Sequence, residues 1–118
     1  MRRAIFAGTF DPPTNGHLDL VERALELFDG LLVAVAAGDH KRPLFSIDER
    51  VSMFNELVRG LPNVEVVPFS GLLVDLAREH GVRVAVRGLR MVSDFEYTRS
   101  PGLDTRLMPE ITRWRSGE

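Results

Sequence analysis

Ten residues near the start of the chain, GTFDPPTNGH from Gly8 to His17, bring together the groups that an anion-handling site needs. Gly8 has no side chain to keep a phosphate away from the backbone, Thr9 offers a hydroxyl, and His17 can donate from a ring nitrogen. Backbone N–H groups at Gly16 and His17 open a helix, and the positive end of its dipole favours a negative ligand. The same residues also fit a plain turn shaped by proline and glycine, with a helix-start histidine facing water. Further along stand three more cations, Lys41, Arg87 and Arg90. Taken singly, Lys41 with Arg42 also fits a solvated loop pair, Arg87 and Arg90 fit surface charges framing a turn, and Asp94 fits a helix N-terminal carboxylate. His40 and His80 have no carboxylate or cysteine at ligand spacing, so a metal site is not expected from them.

The elements that must position these residues alternate regularly: apolar run, loop, amphipathic helix. That is the pattern of βαβ units and of a parallel sheet covered on both faces. Residues 3–7 read as a first strand that delivers Gly8 and Thr9 to its carboxyl end, where open α/β sheets bind ligands. Leu18, Val21, Leu25 and Phe28 then share a helical face, and Asp29-Gly30 supplies the stop. Residues 31–37 form a continuous apolar run, as a strand buried on both faces should. Ser46 with Glu49 forms a capping box ahead of a helix whose face is Ile47, Val51, Phe54 and Val58. A third strand is expected over residues 64–67, a helix capped by Ser70 and carrying Leu72, Leu73 and Leu76 follows, and residues 82–86 make a fourth strand. By this spacing Leu73 is a core residue. Right-handed crossovers would wind the strands into a Rossmann-like, doubly wound parallel sheet. A last capping box, Ser93 with Glu96, opens a helix that meets Pro101-Gly102 within two turns, so that helix is expected to be short.

Composition narrows the classes further. The chain has 118 residues, about one domain, with 44% hydrophobic and 27% charged residues, ordinary values for a soluble globular protein. A net charge of −2 gives no general basic footprint for a nucleic-acid duplex, so no nucleic-acid partner is expected. Without cysteine there is no disulfide frame, thiolate zinc site or cysteine nucleophile. The apolar stretch after Arg2 and Arg3 is too short for a signal peptide, and no later run approaches a membrane span. A cytoplasmic protein without membrane contact is the expectation.

The segment Gly8–His17 resembles the G-T/S-F-D-P-x-T-x-G-H motif of the adenylyl- and cytidylyltransferases that share a modified Rossmann fold. Two further stretches resemble the phosphopantetheine adenylyltransferase family in particular: DHKRPLFSIDER around Lys41, and VRGLRMVSDFEY from Val86 to Tyr97. FSGLLVD, Phe69 to Asp75, is similar to that family's wall over the pantetheine arm. A third reading, a glycerol-phosphate or nicotinamide-mononucleotide transferase, is disfavoured by RGLR and FSGLLVD. The resemblance implies transfer of the adenylyl group of ATP to 4′-phosphopantetheine, giving dephospho-coenzyme A and pyrophosphate. It implies that His17 donates to the α-phosphate while Thr9 and Lys41 steer the incoming phosphate. Arg87 would hold the phosphate of pantetheine and Leu73 its arm; Phe10, Gly88, Leu89 and Arg90, with Thr9 and His17, would hold the nucleotide. Magnesium would accompany ATP on its phosphate oxygens.

The resemblance covers residues 1–97, which therefore read as a nucleotidyltransferase domain. Residues 98–118 read as a divergent, poorly ordered tail: Thr98 stands where the family has a glutamate, and only TRLMPEIT at 105–112 resembles it again. Four strands are recognisable, and the family's fifth strand, its closing helices and its I-S-S-S segment are not. Two functional readings follow, an active adenylyltransferase or a truncated inactive relative that binds only phosphopantetheine or nucleotide. A family-like homo-oligomer is a weaker expectation for such a chain.

Overall fold

A computed structural model of the chain describes residues 2–37 and 43–86. Lys41, Arg42, Arg87, Gly88, Leu89, Arg90, the Ser93–Glu96 capping box and the expected tail at 98–118 lie outside these residues. Within them the chain runs β1 (Arg3–Gly8), α1 (Asn15–Leu27), β2 (Gly30–Ala36), α2 (Ile47–Leu57), β3 (Val64–Phe69), α3 (Leu73–Glu79) and β4 (Val84–Val86). The four strands form one parallel sheet in the order β3-β2-β1-β4. This is the α/β, Rossmann-like architecture that the alternation of apolar runs and amphipathic helices implies.

The side-chain period of two along each strand divides the core in half. Ala4 and Phe6 of β1 and Leu31, Val33 and Val35 of β2 face α1 and α2, where Leu20, Val21, Ala24, Phe54 and Val58 complete one apolar cluster. Ile5 and Ala7 of β1 and Leu32, Ala34 and Ala36 of β2 face the other way, onto Leu73 and Ala77 of α3. Every residue of β2 is buried, which accounts for its unbroken apolar run. Each large apolar side chain so covered stabilises the fold by ~1.5–3 kcal/mol relative to exposure. Among the described residues β3 pairs with β2 alone, so Pro68, which has no N–H to give, is tolerated.

Several boundaries differ from those the residue pattern suggests. β3 continues to Phe69, so Ser70 falls in a turn, where Gly71 takes a left-handed backbone (φ 87°). The N-cap of α3 is then Leu72, with no side-chain hydrogen bond, in place of Ser70. β4 starts at Val84, because the Val82 N–H donates to Ala77 O at 2.8 Å and binds that residue to the end of α3. The buried face of α1 differs as well: Leu20 and Ala24 are buried while Leu18 and Leu25 pack only at the margin of the core.

The Ser46–Glu49 capping box forms as expected: Ser46 Oγ accepts from Glu49 N at 3.1 Å, and Glu49 Oε1 accepts from Ser46 N at 2.9 Å. Ser46→Ala orphans one of these donors. The expected outcome is a loss of ~1 kcal/mol in urea unfolding, with no change in the secondary structure.

Candidate active site

Successive strands β1, β2 and β3 lie side by side, and the chain then returns past β1 to place β4 on its far side. The order reverses next to β1, and a ligand crevice opens at such a point beyond the carboxyl ends of the strands. The loop from Thr9 to Thr14 leaves β1 at that edge.

The loop is held by its own polar groups. Thr14 caps α1, its hydroxyl accepting from His17 N at 3.4 Å. The His17 ring returns the interaction: Nδ1 accepts from the Thr14 backbone N–H at 2.9 Å. This is a capping box in which histidine takes the place usually filled by a glutamate or glutamine. Because the main-chain N–H can only donate, Nδ1 is unprotonated and the ring proton sits on Nε2. The ring packs edge-on to Phe10 (centroids 4.8 Å apart, 87°) and lies within 6.4 Å of Phe54 and 6.2 Å of Phe6. Burial among these rings lowers its pKa from 6.5 to about 4. His17 is thus a neutral imidazole at the amino end of a helix, with a fixed tautomer and an Nε2–H that has no partner among the described residues.

Two further side chains join this loop to the segment that precedes α2. The Asp11 carboxylate accepts from the backbone N–H groups of Leu44 (2.8 Å) and Phe45 (2.9 Å). In the opposite direction Arg50 reaches out of α2: its Nη1 donates to Thr9 O at 2.8 Å and Ala36 O at 2.9 Å, its Nε to Phe45 O at 3.1 Å and Ser46 O at 3.3 Å. Arg50 is 2% exposed, the one buried charged residue among those described. Among the described residues no carboxylate pairs with it; four carbonyl dipoles surround the guanidinium. The motif at Gly8–His17 includes Asp11 without giving it a role, and helical periodicity did not single out Arg50. A signal for Arg50 was present: on α2 it stands between Ile47 and Phe54, on the face that otherwise turns to the core.

Thr9 follows β1 at the carboxyl edge of the sheet and His17 lies in the first turn of α1, with Phe10 between them in the chain. The Phe10 ring is 2% exposed and sits in the core against Phe6 and Phe54, so a contact between Phe10 and a ligand falls to its main chain. Leu73 is likewise 2% exposed and packs in the core beneath α3, as its spacing suggests, whereas Leu72 before it is 63% exposed. A part for Leu73 in holding an acceptor also falls to its main chain. Lys41, Arg87, Gly88, Leu89 and Arg90 are outside the described residues.

A parallel sheet in this order, with a T-x-G-H helix start at its carboxyl edge, places the domain among the Rossmann-like nucleotidyltransferase folds. The chain belongs to the cytidylyltransferase-like family, which it matches over residues 5–113. Among solved structures it is similar to a bifunctional NMN adenylyltransferase/ADP ribose pyrophosphatase from Francisella tularensis, at 19% identity and a TM-score of 0.65. That match covers 87% of this chain and 36% of the other, so the chain spans about a third of that protein's length. It is also similar to the lipopolysaccharide core biosynthesis protein of Thermoplasma volcanium GSS1, at 20% identity and a TM-score of 0.59, over 82% of this chain and 86% of the other. At these identities the likeness is one of fold. Among the described residues no helix is long and apolar enough to cross a membrane.

Proposed function

We propose that this chain transfers the adenylyl group of ATP to 4′-phosphopantetheine, forming dephospho-coenzyme A and releasing pyrophosphate. The observation that carries nucleotidyl transfer is His17: a neutral imidazole whose Nδ1 is occupied by Thr14 N–H, leaving Nε2–H as a fixed donor at a helix start. The choice of acceptor rests on the resemblance of RGLRMVSDFEY and FSGLLVD to the phosphopantetheine enzymes.

In the reaction an oxygen of the acceptor phosphate attacks the α-phosphorus of ATP. A P–O bond forms there as the bond to the bridging oxygen breaks, and pyrophosphate departs with the electron pair. The attacking group is already an anion, so no side chain has to remove a proton, and the protein's work is alignment and charge stabilisation. Nε2–H of His17 donates to the α-phosphate oxygens as charge grows on them; one such preorganised donor is worth ~3 kcal/mol. Thr9 and Lys41 guide the incoming phosphate, and Arg87 binds it. Gly88, Leu89 and Arg90 meet the nucleotide. Magnesium enters as part of the nucleotide substrate, on its phosphate oxygens. Among the described residues no group of three His, Cys, Asp or Glu side chains could hold a metal ion, and no step is assigned to a protein-bound one.

A coupled assay of pyrophosphate release tests the proposal, with ATP or CTP as donor and 4′-phosphopantetheine or NMN as acceptor. Release with ATP and phosphopantetheine is expected. Release with another pair alone would reassign the substrates, and binding of phosphopantetheine without release would favour the inactive relative. Calorimetry supplies a second expectation: if Lys41 and Arg87 meet the acceptor phosphate, phosphopantetheine binds at least ~10-fold more tightly than pantetheine, which lacks that phosphate. Equal affinities would remove both residues from the site.

A further inference from the structure

We infer that Arg50 is a positioning residue for this site: through Thr9 O it sets the Thr9–Phe10 peptide so that Phe10 N–H is presented to the nucleotide phosphates. The inference rests on the nucleotidyl-transfer reading and adds to it a side chain from α2 that touches no substrate.

The geometry begins with a peptide plane. The Thr9–Phe10 bond is trans, so its C=O and N–H point in opposite directions. Arg50 Nη1 grips the C=O at 2.8 Å from inside the fold, which turns Phe10 N–H to the side of the loop away from the guanidinium. That N–H has no hydrogen-bond partner among the described residues. Phe10 has φ 49°, in the left-handed region that side chains other than glycine, asparagine and aspartate seldom enter. Such a conformation persists only where its surroundings over-determine it, and here two constraints do so. Phe6, His17 and Phe54 enclose the ring, and Arg50 holds the preceding carbonyl.

The guanidinium also fixes what lies across from Thr9. The same Nη1 holds Ala36 O at the end of β2, and Nε holds Phe45 O and Ser46 O before α2. One planar fork therefore ties the ends of β1 and β2, through Nη1, to the segment before α2, through Nε. An ammonium has three donors on a point charge and cannot reproduce that fork. A buried cation with no carboxylate partner is a poor device for stability alone, since its desolvation offsets much of what the carbonyls return. It is well suited to holding one register.

The test compares Arg50→Lys, which keeps the charge and loses the fork, with the native protein and with Val58→Ala. Val58 caps the carboxyl end of α2 and is buried in the core, at the other end of that helix from Ser46. Each variant is first checked for a cooperative thermal transition. Arg50→Lys is expected to lower kcat for pyrophosphate release by ~30-fold or more with the acceptor KM nearly unchanged, while Val58→Ala holds kcat within ~3-fold. In NMR spectra the Phe10 amide of the native protein should move on titration with inorganic pyrophosphate, and in Arg50→Lys the same movement should need ~10-fold more ligand or vanish.

A folded Arg50→Lys protein with the native kcat overturns the inference, as do equal losses in Arg50→Lys and Val58→Ala, which would mean that the stability of α2 decides. If the native protein releases no pyrophosphate, the functional reading falls by itself. The amide then decides the positioning role: a pyrophosphate-induced shift that Arg50→Lys abolishes supports it, and an unresponsive Phe10 overturns it. Should Arg50→Lys fail to fold, the native protein carries the test through the side-chain N–H signals of Arg50. They shift with Phe10 on saturation with pyrophosphate if the two are coupled, and stay put if they are not.

Discussion

Replacing His17 with alanine is expected to slow nucleotidyl transfer by ~100- to 1,000-fold, the usual effect of deleting one preorganised donor at a developing oxyanion. The loss should appear in kcat rather than in the KM for the acceptor, because the donor is aimed at charge that exists only in the transition state. The fold should survive: the ring lies at the first turn of α1 and the chain keeps Thr14 as N-cap. His17→Ala with the native kcat would end the proposed role.

The same side chain sets a pH dependence whose sign follows from its pKa of about 4 in the fold against 6.5 unfolded. Between those values the unfolded chain binds the proton more readily than the folded one. The contribution of His17 to stability is therefore fully present above pH 6.5 and is lost as pH falls toward 4. Protonation at Nδ1 would also set its N–H against that of Thr14 and break the capping box. Urea unfolding of the native protein should weaken across this window, and His17→Ala should flatten that part of the slope. Around neutral pH the ring does not titrate, so the transfer rate should carry no step from His17.

The second large effect is expected at Phe54. Its ring is fully buried, meets Phe10 edge-on with centroids 4.8 Å apart and lies 6.4 Å from His17. Phe54→Ala leaves a cavity under both and should cost ~3–5 kcal/mol, a large part of the ~5–15 kcal/mol by which a domain of this kind is stable. Phe54→Leu refills much of the space and should lose less than ~1.5 kcal/mol. Leu72→Ala, at an exposed position, should stay within ~0.5 kcal/mol of the native value. Denaturant midpoints check all three. Phe54→Ala should further lower kcat under conditions where it remains folded, since Phe10 and His17 lose a wall; native turnover in that variant would separate the aromatic cluster from the site.

Local pattern made most of the elements legible. The apolar runs of β1 and β2, the Ser46 capping box and the faces of α1 and α2 depend on neighbours a few residues apart, and they stand close to where periodicity puts them. The turn after β3 was less legible, because Ser70 is a good N-cap by type. How far the chain stays paired with β2 decides instead, and pairing runs through Ala36 with Phe69. The motif at Gly8–His17 pointed to His17 and Thr9. It did not reveal that Thr14 would settle the tautomer, because the histidine could equally have faced water.

By itself, then, the sequence determined the order of strands and helices, the family motif in the first loop and the lack of cysteine among its residues. These follow from residue type and short-range spacing. Tertiary structure alone decided that β4 returns beside β1, that His17 is held neutral among three phenylalanine rings, and that Leu72 is left exposed. It alone joined Arg50 to Thr9 O, 41 positions away in the chain. Burial and long-range hydrogen bonds depend on which surfaces the sheet brings together, and that choice is made by the packing of distant segments rather than by any one stretch of residues.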